Sequence, residues 1–233
     1  MNKVSGKVVA LLPMKANSER IKGKNFKNFN GKPLFRWILD TLLQVEEIEK
    51  VVINTDARQI LADNGLIDTS RILIRDRKSE ICGDLVSMNR VIADDISSVS
   101  ADTYLMTHTT NPLISISTIR AALSSFYRSR IEGSADSLFA ANKVQTRFYR
   151  AYCSAINHDP NNLIRTQYLE PWFAENSNLY LFTRESFAAT NARIGKKPML
   201  FECPRCESTD IDNQEDWDLA IIAARYLQEK NIS

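Results

Sequence analysis

The sequence predicts an α/β fold in three layers, doubly wound around a mainly parallel sheet. Three observations predict it. Short apolar runs alternate with amphipathic stretches from Val8 to Tyr127, the order that produces strand–helix–strand crossovers. These runs are continuous rather than alternating, as in strands buried on both faces. A length of 233 residues suits one α/β domain with a substantial core.

The elements follow in order. Val8–Leu12 reads as the first strand, because a short apolar run bounded by polar residues is too brief for a helix. Pro33, suited to a helix's first turn, opens a helix over 34–45 whose face carries Leu34, Trp37, Ile38, Leu42 and Val45. Val51–Asn54 is a second strand, 57–63 a short helix, Ile72–Ile74 a third strand and 85–96 a helix. Tyr104–Thr107 is the fourth strand, followed by a helix over 117–127. Regularity breaks near residue 135: 137–141 and 144–152 read as extended, before a polar stretch at His158–Asn162. Asn178–Phe182 and Met199–Phe201 are further strands, and an apolar pattern predicts a final helix over 213–229. The chain is expected to be one domain, 1–233, with a dimerisation or substrate-capping excursion at about 137–175.

Bulk properties exclude several classes. Thirty basic and 28 acidic residues leave a net charge of +2, so no global field points to nucleic acid or membrane. No apolar run approaches the ~20 residues of a membrane span, and the N-terminus shows no cleavage pattern; a cytoplasmic protein is expected. Cys203 and Cys206 form a C-x-x-C. With so few further cysteines or histidines, and the pair near the end of the chain where a thioredoxin-like pair would follow an early strand, zinc and thioredoxin-like readings are both disfavoured.

The chemistry concentrates in loops. Between the first strand and first helix lie Lys15, Arg20, Lys22, Lys24, Lys27 and Lys32, with one acid, Glu19. A cationic strand-to-helix loop sits at the carboxyl edge of a parallel sheet, where α/β proteins bind ligands, and suits a polyphosphate. Neither G-x-x-x-x-G-K-S/T nor G-x-G-x-x-G occurs. Near the C-terminus, Asp210 and Asp212 share one side of an extended segment. Two carboxylates with open positions fit Mg²⁺ when a nucleoside triphosphate supplies further oxygens; the competing role, for Asp212 at least, is an acidic cap on the final helix.

The order Asn17-Ser18, Arg20, Gly23-Lys24-Asn25, Asn30-Gly31-Lys32-Pro33 resembles the signature of the sugar-activating cytidylyltransferases, above all the acylneuraminate (CMP-sialic acid) enzymes. Four further segments are similar in order: Thr55-Asp56 after the second strand; Arg77, Glu80, Asp84 and Ser87; Thr110 with Pro112-Leu113; and Arg165, Gln167 and Glu175-Asn176 ahead of the acidic pair. The resemblance implies a nucleotide-diphospho-sugar transferase-like, Rossmann-like fold, and a homodimer that binds CTP and an acidic sugar and uses Mg²⁺. It implies that Lys15, Arg20 and Lys24 hold the phosphates, with Met14, Asn17, Ser18, Asn25, Arg77 and Ser87 around the nucleotide. It places His108, Thr110, Arg165, Gln167 and Asn176 at the sugar, Arg165 across the dimer interface, and gives the metal to Asp210 and Asp212. Four departures stand out: Lys15 for arginine, Glu19 for lysine, His108 for glutamine, and Ser177 for the glycine after Glu175-Asn176. They leave the sugar open between sialic acid, another nonulosonate and Kdo. A non-catalytic CTP-binding relative is the competing class.

Overall fold

The computed structural model describes residues 6–232. Residues 1–5 and 233, the ends of the expected domain and the start of the stretch read for a leader, lie outside the described residues. The elements are β1 (Val8–Leu11), a hairpin of β2 (Asn28–Phe29) and β3 (Lys32–Pro33), α1 (Leu34–Gln44), β4 (Ile48–Thr55), α2 (Arg58–Asp63), β5 (Ile72–Asp76), α3 (Met88–Ser98), β6 (Thr103–Met106) and α4 (Ile116–Ile131). Then come β7 (Ser137–Val144), β8 (Trp172–Phe182), α5 (Arg184–Thr190), β9 (Pro198–Glu202) and α6 (Gln214–Ile232).

Seven strands form one sheet in the order β5-β4-β1-β6-β8-β7-β9. β5, β4, β1 and β6 are mutually parallel, β8 runs antiparallel to both β6 and β7, and β9 is parallel to β7. The sheet is thus mainly parallel, as expected. Its residues alternate between two cores. Val8, Ala10 and Leu12 pack with Phe35, Ile38 and Phe126 on the face covered by α1 and α4. Val9 and Leu11 pack with Ile92, Ile96 and Phe187 on the face covered by α3 and α5. A third cluster fastens α6 to the first loop and the hairpin, through Trp217, Ala220, Ile21 and Phe29. Among the described residues no helix is long and apolar enough to cross a membrane.

The sequence reading departs from the structure in five places. Asn30 and Gly31, both at positive φ, make the two-residue turn of the β2–β3 hairpin, as the Asn-Gly pair favours. The helix expected over 85–96 starts only at Met88, because Ser87 caps it, its side chain accepting the Asn89 N–H; Leu85 is fully exposed. The segment 144–152 is not a strand beyond Val144, and Tyr149 makes only an isolated bridge to Ala155. Strand β8 begins six residues earlier than expected, at Trp172, since Trp172–Glu175 pair with Ala141–Val144. Helix α5 was unforeseen; it is only seven residues long, held by a capping box between Thr183 and Ser186, and too short to show a 3.6-residue period.

Candidate functional site

The parallel strands all end at one edge, and a cleft of about 350 Å³ opens there. Its walls come from the loop after β1, the segment after β5 (Arg77–Met88), the segment after β6 (His108–Thr110) and Asp212. The cationic loop lies along it because backbone contacts tie it down: Met14 bridges Thr55, and the Ala16 N–H donates to Asp56 Oδ1 at 2.7 Å. Asp56 therefore anchors this loop rather than capping α2, whose N-cap residue is Ala57. Gly23, at φ 61, turns the chain into a short 3-10 turn over Lys24–Phe26.

Of the six loop cations, three line the cleft: Lys15, Arg20 and Lys24. Lys27 sits over the Trp217 ring and Lys32 over Trp37, with a 2.6 Å salt bridge to Asp40, so both serve packing. Lys22 is exposed. Lys15 pairs with Asp84, whose carboxyl is held below the usual range by that ammonium. Arg20 bridges Asp212 at 2.8 Å. Lys24 is buried, at 7% exposure, and its ammonium donates to the Ile211 carbonyl. Burial pushes its pKa down, while Asp212 and Asp210 pull it back up.

Asp210 and Asp212 flank Ile211, which is fully buried and whose N–H donates to the Thr110 carbonyl at 2.9 Å. Both carboxylates lie near enough to the Lys24 ammonium to act on it, and Asp212 lines the cleft while Asp210 sits behind it. Asp210 is raised above the ordinary carboxyl value, first by burial and also by Asp212, while a hydrogen bond with Thr110 opposes. Its Oδ1 is buried with no hydrogen-bond partner among the described residues. The cap of α6 falls elsewhere: Asn213 Oδ1 accepts the Asp216 N–H, and Asp216 Oδ2 accepts the N–H groups of Asn213 and Asp212, all at 3.0 Å. Asp212's carboxylate is thereby left for the cleft. An orphaned carboxylate oxygen beside a second carboxylate fits a Mg²⁺ ion completed by phosphate oxygens and water. No group of three or more acidic, histidine or cysteine side chains suited to a metal occurs among the described residues.

The remaining expected residues divide. Met14, Ser18, Asn25, Arg77, His108 and Thr110 line the cleft. Asn25 is buried and braces it, donating to the Lys15 carbonyl at 2.8 Å and accepting from Thr109 at 2.6 Å. Arg77 donates to Asn54 Oδ1 and O, at 2.9 and 2.8 Å, and to the Met14 carbonyl at 3.3 Å, so its guanidinium also fastens the loop to β4. Asn17 is exposed, and Ser87 caps α3 outside the cleft lining. Asn176 donates to Asn142 Oδ1 at 3.1 Å on β7. Arg165 and Gln167 are exposed on the excursion and line no part of the cleft. Ser177, at φ 58, keeps the left-handed backbone a glycine would adopt freely.

Glu19 is exposed at the cleft mouth. Cys203 is buried with its thiol pushed up by that burial, Cys206 is exposed, and all four cysteines are free, an environment for packing rather than redox work. Sequence reasoning missed Arg193, which reaches His108 from the loop after α5, Nη1 lying 3.5 Å from Nε2. Burial, with the charges of Arg193 and Lys24, pushes His108 down to about 3.

A cationic loop facing an acidic pair at the carboxyl edge of this sheet defines a nucleotidyltransferase-type site. The same fold appears in the structure of CMP:2-keto-3-deoxy-manno-octonic acid synthetase complexed with CTP, with a TM-score of 0.62 at 16% identity, covering 96% of this chain and 99% of that one. The chain belongs to the cytidylyltransferase family, whose family model matches residues 9–216. Among its relatives, the pseudaminic acid cytidylyltransferase of Campylobacter jejuni is 22% identical, over 96% of this chain and 98% of its own. The CMP-N,N'-diacetyllegionaminic acid synthase of Legionella pneumophila is 24% identical, over 91% and 94%.

Proposed function

We propose that the protein is a Mg²⁺-dependent cytidylyltransferase that couples CTP to an acidic nine-carbon 2-keto sugar, giving the CMP-sugar and pyrophosphate. The observation that carries this is the convergence of Lys15, Arg20 and Lys24 with Asp210 and Asp212 at one strand edge. The names of the relatives supply the acceptor class, since both act on nonulosonic acids.

The acceptor's anomeric oxygen forms a bond to the α-phosphorus, and the bond from that phosphorus to the bridging oxygen breaks. Pyrophosphate leaves with the electron pair and the hydroxyl proton passes to water. Lys15, Arg20 and Lys24 hold the departing phosphates, so their charge meets charge as it develops. Asn25, Arg77 and the Asp56–Ala16 contact keep the loop in place, which is positioning in the sense of a preorganised site. Mg²⁺, bound by Asp210 and Asp212, supplies charge neutralisation on the phosphates. His108 stays neutral at working pH, and the Arg193 donor facing Nε2 assigns the ring proton to Nδ1.

The exposed apolar side chains of the excursion support a homodimer: Tyr152, Leu163 and Tyr168 are each at least 65% exposed, and Trp172 and Phe173 at the start of β8 are also exposed. A second copy is the occupant this reading assigns to them, and the supply of CTP places the reaction in the cytoplasm. The test is pyrophosphate release with CTP, ATP, GTP or UTP against N-acetylneuraminate, pseudaminate, a legionaminate and Kdo, with Mg²⁺ or with a chelator. Release with CTP, one nonulosonate and Mg²⁺ is expected. Equal rates with chelator would overturn the metal assignment, and failure to bind CTP would overturn the whole reading.

A further inference from the structure

Arg193 has chemistry that the reading above leaves unused. It follows α5, whose C-cap Asn191 is left-handed at φ 54 and turns the chain back toward the sheet. Its guanidinium carbon lies 3.8 Å from the centroid of the Tyr180 ring, and Tyr180 is the cross-strand neighbour of Met106 at the end of β6. A ring beneath a guanidinium orients it while leaving its in-plane N–H groups available. Those groups make only long contacts: Nη1 to His108 Nε2 at 3.5 Å and Met106 Sδ at 3.9 Å, and Nη2 to Glu175 Oε1 at 3.5 Å. Strong charge-assisted pairs lie nearer about 2.8 Å. The Arg193 side chain is 20% exposed against 42% for Glu175, and Glu175 also accepts from the Tyr180 hydroxyl. A largely buried, ring-held cation thus faces the cleft residue His108 with a loosely held, solvent-reaching counter-ion.

We propose that Arg193 takes the carboxylate of the acidic acceptor from within the same protomer, the incoming carboxylate displacing Glu175 from its Nη2. This rests on the acceptor being an acidic sugar, as proposed above. The planar fork pairs two N–H groups with one carboxylate, and His108, kept uncharged, does not compete for that anion. The site discriminates acids from their neutral analogues, because a neutral amide leaves the buried guanidinium without an anionic partner.

The test uses the full chain with Arg193→Gln, Arg193→Lys and, as comparison, Arg165→Gln. Acceptor binding is measured by calorimetry in the presence of CTP, alongside pyrophosphate release, for the nonulosonate that binds most tightly and for its C1 carboxamide. The wild type is expected to prefer the acid over the amide by about 10- to 100-fold, the worth of a charge-assisted hydrogen bond. Arg193→Gln should erase that preference with CTP affinity unchanged, Arg193→Lys should restore part of it, and Arg165→Gln should keep it. An Arg193→Gln protein that binds CTP normally and still prefers the acid overturns the proposal, as does loss of preference in Arg165→Gln alone. Binding with this pattern but without turnover would sink the cytidylyltransferase reading and leave Arg193 standing.

Discussion

Replacing Lys24 with methionine separates a catalytic from a structural role for the most buried cation of the cleft. Methionine fills a similar volume at a position only 7% exposed, so packing is largely kept. The variant loses the donation to the Ile211 carbonyl, a charge-assisted bond of about 1.5–3 kcal/mol. Against this, an ammonium whose pKa burial pushes down no longer bears its desolvation cost. The net loss should be about 1–2 kcal/mol, seen as a melting temperature lower by about 2–6 °C. The catalytic effect is separable from that. If the ammonium meets charge developing on the leaving phosphates, kcat should fall about 10²- to 10³-fold. The assay is pyrophosphate release at saturating CTP, Mg²⁺ and acceptor, at a temperature well below the melting transition. A variant that melts early but turns over at the wild-type rate would refute the phosphate role and leave Lys24 as a fastener between the first loop and the Ile211 segment.

Other perturbations follow from the same geometry. Asp212→Asn should raise the Mg²⁺ concentration at half-maximal rate by about an order of magnitude, through loss of about 1.5 kcal/mol of charge-assisted interaction, and a magnesium titration of the rate checks it. His108, held at about 3 instead of 6.5, is neutral throughout the working range, so His108→Gln should leave the pH–rate profile between pH 5 and 8 unchanged. The same depression means that the wild type loses stability relative to His108→Gln as pH falls from 6.5 toward 3, which urea midpoints would show. Ser177→Gly should stabilise the fold by about 1 kcal/mol by relieving a left-handed serine, measured by urea unfolding. Asp95 is 1% exposed and raised from 3.8 to about 6 by burial, against the pull of Asn54 and Arg75. Its native form holds a proton that the unfolded chain releases, so its contribution is greatest below pH 3.8 and is lost as pH rises through 6. That amounts to about 3 kcal/mol at 1.36 kcal/mol per unit, and it should disappear from the pH–stability curve of Asp95→Asn.

How much of this was legible before the structure depends on how local the signal is. The strands at Val8–Leu12 and Ile72–Ile74 could be read because continuous apolar runs mean strands buried on both faces. The i, i+2 spacing of Asp210 and Asp212 could be read because an extended backbone fixes it, even though the segment proved to be a pinned loop and not a strand. Arg193 could not. Its partners Tyr180 and Glu175 lie on β8 and His108 follows β6, and these two stretches meet only because β8 inserts antiparallel beside β6. The loop that delivers it follows a helix of seven residues, below the length at which periodicity shows. The structural use of Lys27 and Lys32 was equally hidden, since nothing in a run of lysines says which ones will lie over tryptophan rings.

The paired charges of the cleft give a physical reason for nucleotide and metal to act together. Lys15 is paired with Asp84, Arg20 with Asp212, and Lys24 is flanked by Asp212 and Asp210. Lys15 and Arg20 therefore already hold carboxylates that a phosphate must replace, while Lys24 is held by the Ile211 carbonyl with both acids acting on it from nearby. Turning Arg20 to phosphate strips Asp212 of its guanidinium, and turning Lys24 strips the half-buried Asp210 further, although one of its oxygens already lacks a partner. Uncompensated carboxylates beside a polyphosphate repel it. On the proposed mechanism a divalent cation on Asp210 and Asp212 removes that penalty, and the release of Arg20 and Lys24 in turn frees the acidic pair for the ion. Each ligand so lowers the cost of binding the other, and linkage requires the two effects to be equal in free energy. Glu19, the charge reversal at the mouth, belongs to the same balance: it lines the cleft with Asp84 and Asp212 and is exposed, so solvent or the same divalent cation offsets its repulsion of the phosphates.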